Sequence, residues 1–197
     1  MNLLDSVRAR EEHGLITAYD VAARLVFMSL AEVGMLQEYA LKLPPNSLIV
    51  NVGAGAGTSG LAFLQSRDDV RVVTVDINAD GYGSLRGEEN ALRMAGLWES
   101  DRHRQILQDS SSTGREWSHG PVDLVFIDAD HSREGALKDI EAWAPNVRPG
   151  GYLLLHDFDN LPLWPGVKQA VELSPLMGPP WKRIELVRTV IIFRRDE

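Results

Sequence analysis

One stretch limits what this chain can fold into more than any other: LIVNVGAGAGTSGLAFL, residues 48–64. A short apolar run, Leu48-Ile49-Val50, stops at a turn holding Gly53, Gly55 and Gly57. A helical apolar pattern resumes at Leu61, Phe63 and Leu64. A buried strand, a glycine turn and a helix in that order open a parallel α/β sheet. Glycine lets the backbone turn tightly and approach a ligand with no side chain in the way. The helix start adds unpaired N–H groups and a partial positive charge. Something polar or anionic is expected there.

The rest of the chain extends this unit. Residues 1–45 read as helices, with Ile16, Val21, Leu25 and Met28, then Val33, Leu36, Tyr39 and Leu43, at helical spacing; Gly14 and Gly34 punctuate them. A helical layer on the edge of a sheet is favoured here over a lid or dimerisation element. Pro44-Pro45 ends the region. Strands are expected at 48–52, 71–75, 104–108, 122–127 and 152–155, helices at 58–66, 88–95, 134–144 and 166–172, and a loop at 109–121. The tail, 182–194, is rich in β-branched residues and reads as two paired strands. Alternating strands and helices predict a doubly wound α/β sheet. With 197 residues, one domain over 1–197 is expected, a helical segment at 1–46 and a core at 47–197.

Charge and composition exclude several functions. Net charge is −8, and the one basic cluster is Arg194-Arg195, so no nucleic-acid partner is expected. With no cysteine, there is no disulfide framework, thiolate metal site or cysteine nucleophile. The N-terminus lacks a signal-peptide apolar region and no apolar run reaches membrane-spanning length. A cytoplasmic protein with no membrane partner is the expectation; a homodimer remains open.

The polar residues fall at informative places. Asp76, Asp109, Asp128 and His156-Asp157 each follow the last apolar residue of an expected strand. In a parallel sheet those ends share one edge, and ligands bind beyond it. Gly55, Gly57 and Gly60 have GxGxxG spacing, which suits a nicotinamide dinucleotide. Asp76, about 20 residues past the glycines, suits ribose hydroxyls in either case. Asp109-Ser110 closes the third strand, where an acceptor and an N–H can read an adenine edge. Asp128 and Asp157 are expected side by side, and converging carboxylates repel unless a proton or cation lies between them. Oxygen ligands with at most one imidazole suit Mg²⁺ or another hard divalent cation.

Taken together, the glycine loop Val52–Ser59, Val75-Asp76, the run FIDADHS at 126–132, the turn Arg148-Pro149-Gly150-Gly151-Tyr152 and LLLHD at 153–157 resemble class I S-adenosylmethionine-dependent methyltransferases. The likeness covers most of 48–194 and is nearest the metal-dependent small-molecule O-methyltransferases of the catechol, caffeoyl-CoA and antibiotic-sugar types. It implies a Rossmann-like, mostly parallel seven-stranded sheet whose C-terminal strand is reversed. It also implies S-adenosylmethionine held by Asn51, Gly53, Ala54, Gly55, Gly57, Thr58, Ser59, Asp76, Ile77, Asp109, Ser110 and Asp128. By position, Asp128, His156 and Asp157 become the metal ligands. Asp130 and His131 are the candidates for the base that deprotonates a small-molecule hydroxyl; His131 has the better unperturbed pKa.

One residue departs from the family pattern. Two positions before the first glycine stands Asn51 rather than Glu or Asp, and an acid there is expected to tighten cofactor binding. Blander roles stand beside these. Ser132 serves equally as a helix N-cap with Asp130 at the helix start, and Asp157 and Asp159 as solvated loop acids. His13, His103 and His119 are expected at the surface. Trp117, Trp164 and Trp181 lie in expected loops, where they wall an acceptor pocket or simply pack. The competing functions are a nicotinamide-dependent oxidoreductase and a non-catalytic nucleotide-binding module.

Overall fold

A computed structural model describes residues 15–25, 27–80 and 83–197. The glycine-turn unit forms as expected: β1 (Leu48–Val52) leads through the loop into α3 (Thr58–Ser66). Every residue of β1 is buried, and every residue of α3 except Gln65. Each fully buried aliphatic side chain here contributes roughly 1.5–3 kcal/mol, so this unit anchors the sheet. β1 pairs in parallel with β2 (Arg71–Asp76) on one side and β4 (Val122–Ile127) on the other. β3 (His103–Leu107) lies outside β2, and β5 (Val147–Leu155) lies beside β4, both parallel. The tail forms β6 (Trp181–Val187) and β7 (Val190–Arg195). β7 inserts antiparallel between β5 and β6, giving the order β3-β2-β1-β4-β5-β7-β6.

Helices cover both faces. α1 (Ala18–Leu25), α2 (Leu30–Leu41), α3 and α4 (Leu85–Met94) pack on one, against Ile49, Leu124, Phe126 and Ile192. On the other, α6 (Arg133–Trp143) and α7 (Pro165–Leu173) cover Val50, Val52, Val125 and Leu153 through Ile140, Trp143, Val167 and Val171. Because side chains alternate along a strand, Asn51 points with Ile49 toward α3 and α4. The chain reverses its direction of travel between β1 and β4. In an open α/β sheet the binding crevice lies at that switch point, beyond the carboxyl ends of the strands.

Several local expectations change. Residues 110–115 are helical, α5 (Ser110–Arg115), because Asp109 caps the helix by accepting from the Ser112 N–H at 2.8 Å. Gly114 lets α5 approach α6 closely: a Cβ there would stand 3.0 Å from both Ala142 and Trp143. Gly34 lies inside α2 rather than ending a helix. The N-terminal helical pattern instead breaks before Ser29, which caps α2 in a capping box with Glu32. β5 begins at Val147, before the Pro149-Gly150-Gly151 turn, and its pairing with β4 shifts register there. The His103 side chain is 2% exposed and faces Glu88 of α4 at 3.2 Å. His119 is exposed as expected, with its ring edge on Trp117, and His13 lies outside the described residues.

Candidate active site

Four strand ends and the glycine loop build one crevice. Gly53, Gly55 and Gly57 all take positive φ, 93°, 51° and 86°. The need is strictest at Gly53, where a Cβ would stand 2.0 Å from the Asp128 carbonyl oxygen. The loop therefore lies flat on the start of the β4 turn. The loop is tied down by Gly53 N–H to Val75 O at 2.9 Å and by Ala54 N–H to Asp76 Oδ2 at 2.7 Å. Gly57 offers α3 no side-chain cap, so the first-turn N–H groups face the crevice.

Two cavities meet at this loop. The larger, about 520 Å³, is lined by Gly53, Gly55, Asp76, Ile77, Asp109, Ser110, Asp128 and Asp130, among others. The smaller, about 300 Å³, is lined by Ala54, Thr58, Ser59, Asp128, His131, His156 and Asp157, with Phe27, Met28 and Trp164 as apolar walls. Gly53, Gly55, Gly83 and Asp128 belong to both. Of the expected cofactor residues, Asn51 and Gly57 line neither cavity. Asn51 is fully buried; its amide donates to Gly53 O at 3.2 Å and to Thr74 Oγ1 at 3.3 Å. Thr74 in turn donates to Glu88, which also accepts from Gln105. Asn51 thus braces the loop from behind.

The smaller cavity has a polar floor. Asp128, His131, His156 and Asp157 each aim one donor atom at a common centre, all within 4.8 Å of one another. His131 Nε2 stands 2.9 Å from Asp157 Oδ2 and 3.3 Å from Asp128 Oδ1. His156 Nδ1 stands 3.1 Å from Asp157 Oδ2 and 3.4 Å from Asp128 Oδ1. Asp157 adopts φ 58°, an unusual conformation for a residue with a side chain, and this turns its carboxylate inward. Its other oxygen accepts from Asn160 at 2.8 Å. Burial opposes ionisation of Asp128 and Asp157. The adjacent imidazoles outweigh it and hold both carboxyls well below the usual range. Burial likewise opposes charge on His131, but the hydrogen bonds to Asp128 and Asp157 push it up to about 9.

The buried ring nitrogens of His156 have no well-formed hydrogen-bond partner. Two converging carboxylates and such an imidazole are a donor set that a divalent cation fits. His131, expected only as a base, belongs to the same cluster. The two base candidates separate. Asp130 accepts from the Ser132 N–H at 2.8 Å and packs against Gly135 at the α6 start, on the larger cavity. His131 lines the smaller one and stacks on Trp164, with ring centres 4.7 Å apart. Ser132 does cap α6, accepting from Gly135 at 3.0 Å. Glu32, which α2 brings against His156, escaped the sequence reading. Its S-x-x-E capping signature after a helical break was the available signal. Trp117 and Trp181 pack on the core beneath α6 and α7 and line neither cavity.

Comparison with known proteins places the family and the fold. Residues 50–158, more than half of the chain, match the methyltransferase-domain family. The chain belongs to that family. A Mycobacterium tuberculosis protein named as a candidate O-methyltransferase is 37% identical over 125 residues, 63% of this chain and 53% of that protein. The chain thus spans about half the length of the curated relatives it matches. A Podospora anserina methyltransferase solved with S-adenosylhomocysteine superposes with a TM-score of 0.72 at 17% identity, covering 98% of this chain and 94% of that one. A Bacillus cereus O-methyltransferase solved with S-adenosylhomocysteine superposes with a TM-score of 0.65 at 18% identity, covering 99% and 90%. Both share the Rossmann-like fold with the reversed strand. Among the described residues, no helix is long and apolar enough to cross a membrane.

Proposed function

We propose that this protein transfers a methyl group from S-adenosylmethionine to a hydroxyl of a small molecule, with a divalent cation in the acceptor cavity. The observation that carries this reading is the pair of cavities meeting at the glycine loop and Asp128. The family membership and the S-adenosylhomocysteine in two solved structures of the same fold support the cofactor. The larger cavity suits it: Asp76 for ribose hydroxyls, Asp109 and Ser110 for the adenine edge, and the glycine loop against the methionine end. The smaller cavity suits the acceptor, with Phe27, Met28 and Trp164 excluding water.

Asp128, Asp157 and His156 are the proposed cation ligands, with His131 at the same centre. The His156 imidazole broadens the choice from Mg²⁺ toward Mn²⁺ and other ions that accept nitrogen. A bound cation lowers the pKa of an acceptor hydroxyl and fixes its oxygen. His131 is the proposed base, a contribution of roughly 10²–10⁴-fold. Its proton is held by Asp128 and Asp157. A cation held by those carboxylates would weaken that hold and leave His131 able to accept the hydroxyl's proton. Asp130 is assigned to the helix start. Holding the oxygen in line with the methyl–sulfur bond supplies up to about 7–11 kcal/mol. The two cavities, sharing Asp128 as a wall, are arranged for that. The test is thermal unfolding with ligands: S-adenosylhomocysteine raises the melting temperature and NADH leaves it unchanged. The reverse result makes the protein a nicotinamide oxidoreductase.

A further inference from the structure

Among the described residues, Glu32 is the carboxylate that approaches the reacting cluster from outside the sheet edge, from the N-terminal helical layer. It is 3% exposed. Its Oε2 accepts from Ser29 N at 2.7 Å and Ser29 Oγ at 2.8 Å. Its Oε1 accepts from Thr189 N at 3.1 Å and Thr189 Oγ1 at 2.7 Å, in the turn between β6 and β7. The same Oε1 stands 3.7 Å from His156 Nε2. Four donors fix this carboxylate in place, so it is preorganised rather than mobile. His156, itself 6% exposed, lies with Nε2 toward Glu32 and Nδ1 toward Asp128 and Asp157.

An imidazole can ligate a cation only through a nitrogen without a proton. Which nitrogen that is depends on what holds the proton of the other. Asp128 and Asp157 lie nearer Nδ1 than Glu32 lies to Nε2, but a cation between them would exclude a proton from Nδ1, and the Glu32 carboxylate then favours the ring's one proton on Nε2. We propose that Glu32 is a positioning residue for the cation site: it fixes His156 with Nε2 protonated, so that Nδ1 presents its lone pair between Asp128 and Asp157. This rests on the metal reading above. It also links the α2 cap and the β6–β7 turn to the site, since both bind the same carboxylate.

A purely structural Glu32 would serve only the capping box and Thr189, so the test must read His156. Mn²⁺ binding to ligand-free protein is measured by titration calorimetry for wild type, Glu32→Gln, His156→Ala and the double variant. S-adenosylhomocysteine binding checks the fold of each. Glu32→Gln weakens Mn²⁺ binding about 10–100-fold, leaves S-adenosylhomocysteine binding unchanged, and has no further effect once His156 is absent. As a second measurement, the ¹⁵N shifts of His156 in the Mg²⁺-saturated protein report protonated Nε2 in wild type and lose that single tautomer in Glu32→Gln. Equal Mn²⁺ affinity in wild type and Glu32→Gln overturns the proposal, as does an equal loss in the His156→Ala background. If wild type binds S-adenosylhomocysteine but neither cation, the metal reading fails and the proposal falls with it.

Discussion

At the residue scale, burial decides what Asn51 does. Its position before the glycines marks it as a cofactor ligand in the sequence, yet its side chain points between the sheet and α3. There it donates to Gly53 O and Thr74 Oγ1, beside the buried carboxylate of Glu88. An aspartate would lose both donations and set a second carboxylate near the first. Asn51→Asp is therefore expected to destabilise the fold by about 1–3 kcal/mol and not to tighten S-adenosylhomocysteine binding. Urea unfolding and calorimetry check the two halves. Asp139 on α6 lines the larger cavity and is 5% exposed. Burial pushes its pKa up to about 6, Ser110 opposes this, and the charges of Asp109 and Asp130 add to it. The fold therefore favours its neutral form. The stability this contributes is present below the ordinary carboxylate range and is lost as pH rises through about 6. Asp139→Asn is expected to gain on wild type by roughly 2–3 kcal/mol between pH 4 and 7, read as the difference between the two stability–pH profiles.

At the element scale, the acceptor side depends on how α7 docks against the start of α6. Gly166 makes that contact possible: a Cβ there would stand 2.6 Å from both the Arg133 nitrogen and the His131 carbonyl oxygen. Gly166→Ala should push the 131–133 turn aside, cost about 1–3 kcal/mol, and weaken Mn²⁺ binding more than S-adenosylhomocysteine binding. Equal effects on both ligands would place His131 outside the cation site. Elements such as α7 and α6 were legible because each shows a clean helical period between turn signals. α5 was not, because SSSTGR has no apolar period. Its helix exists through the Asp109 cap and the packing of Gly114 on Trp143, both tertiary facts. The break between α1 and α2 was missed for the opposite reason. Apolar residues run through it, but Phe27 is exposed on the acceptor cavity while Met28 reaches both that cavity and the core.

At the scale of the whole molecule, the site is a property of topology. β1 and β4 are neighbours with their connections running to opposite sides, and the crevice follows from that order. This is why Asp76, Asp109, Asp128 and Asp157 could be read as converging from their places after apolar runs. Glu32 could not, since its nearness to His156 depends on how the N-terminal helices lie over β7, which no local pattern encodes. The two cavities then divide the chemistry, with Asp128 in common. The most direct test of this division is calorimetric titration of wild type and Asp157→Ala with Mn²⁺ and with S-adenosylhomocysteine. Wild type is expected to bind both, and Asp157→Ala to lose Mn²⁺ while keeping S-adenosylhomocysteine. Undiminished Mn²⁺ binding by Asp157→Ala, or no S-adenosylhomocysteine binding by wild type, would contradict the account.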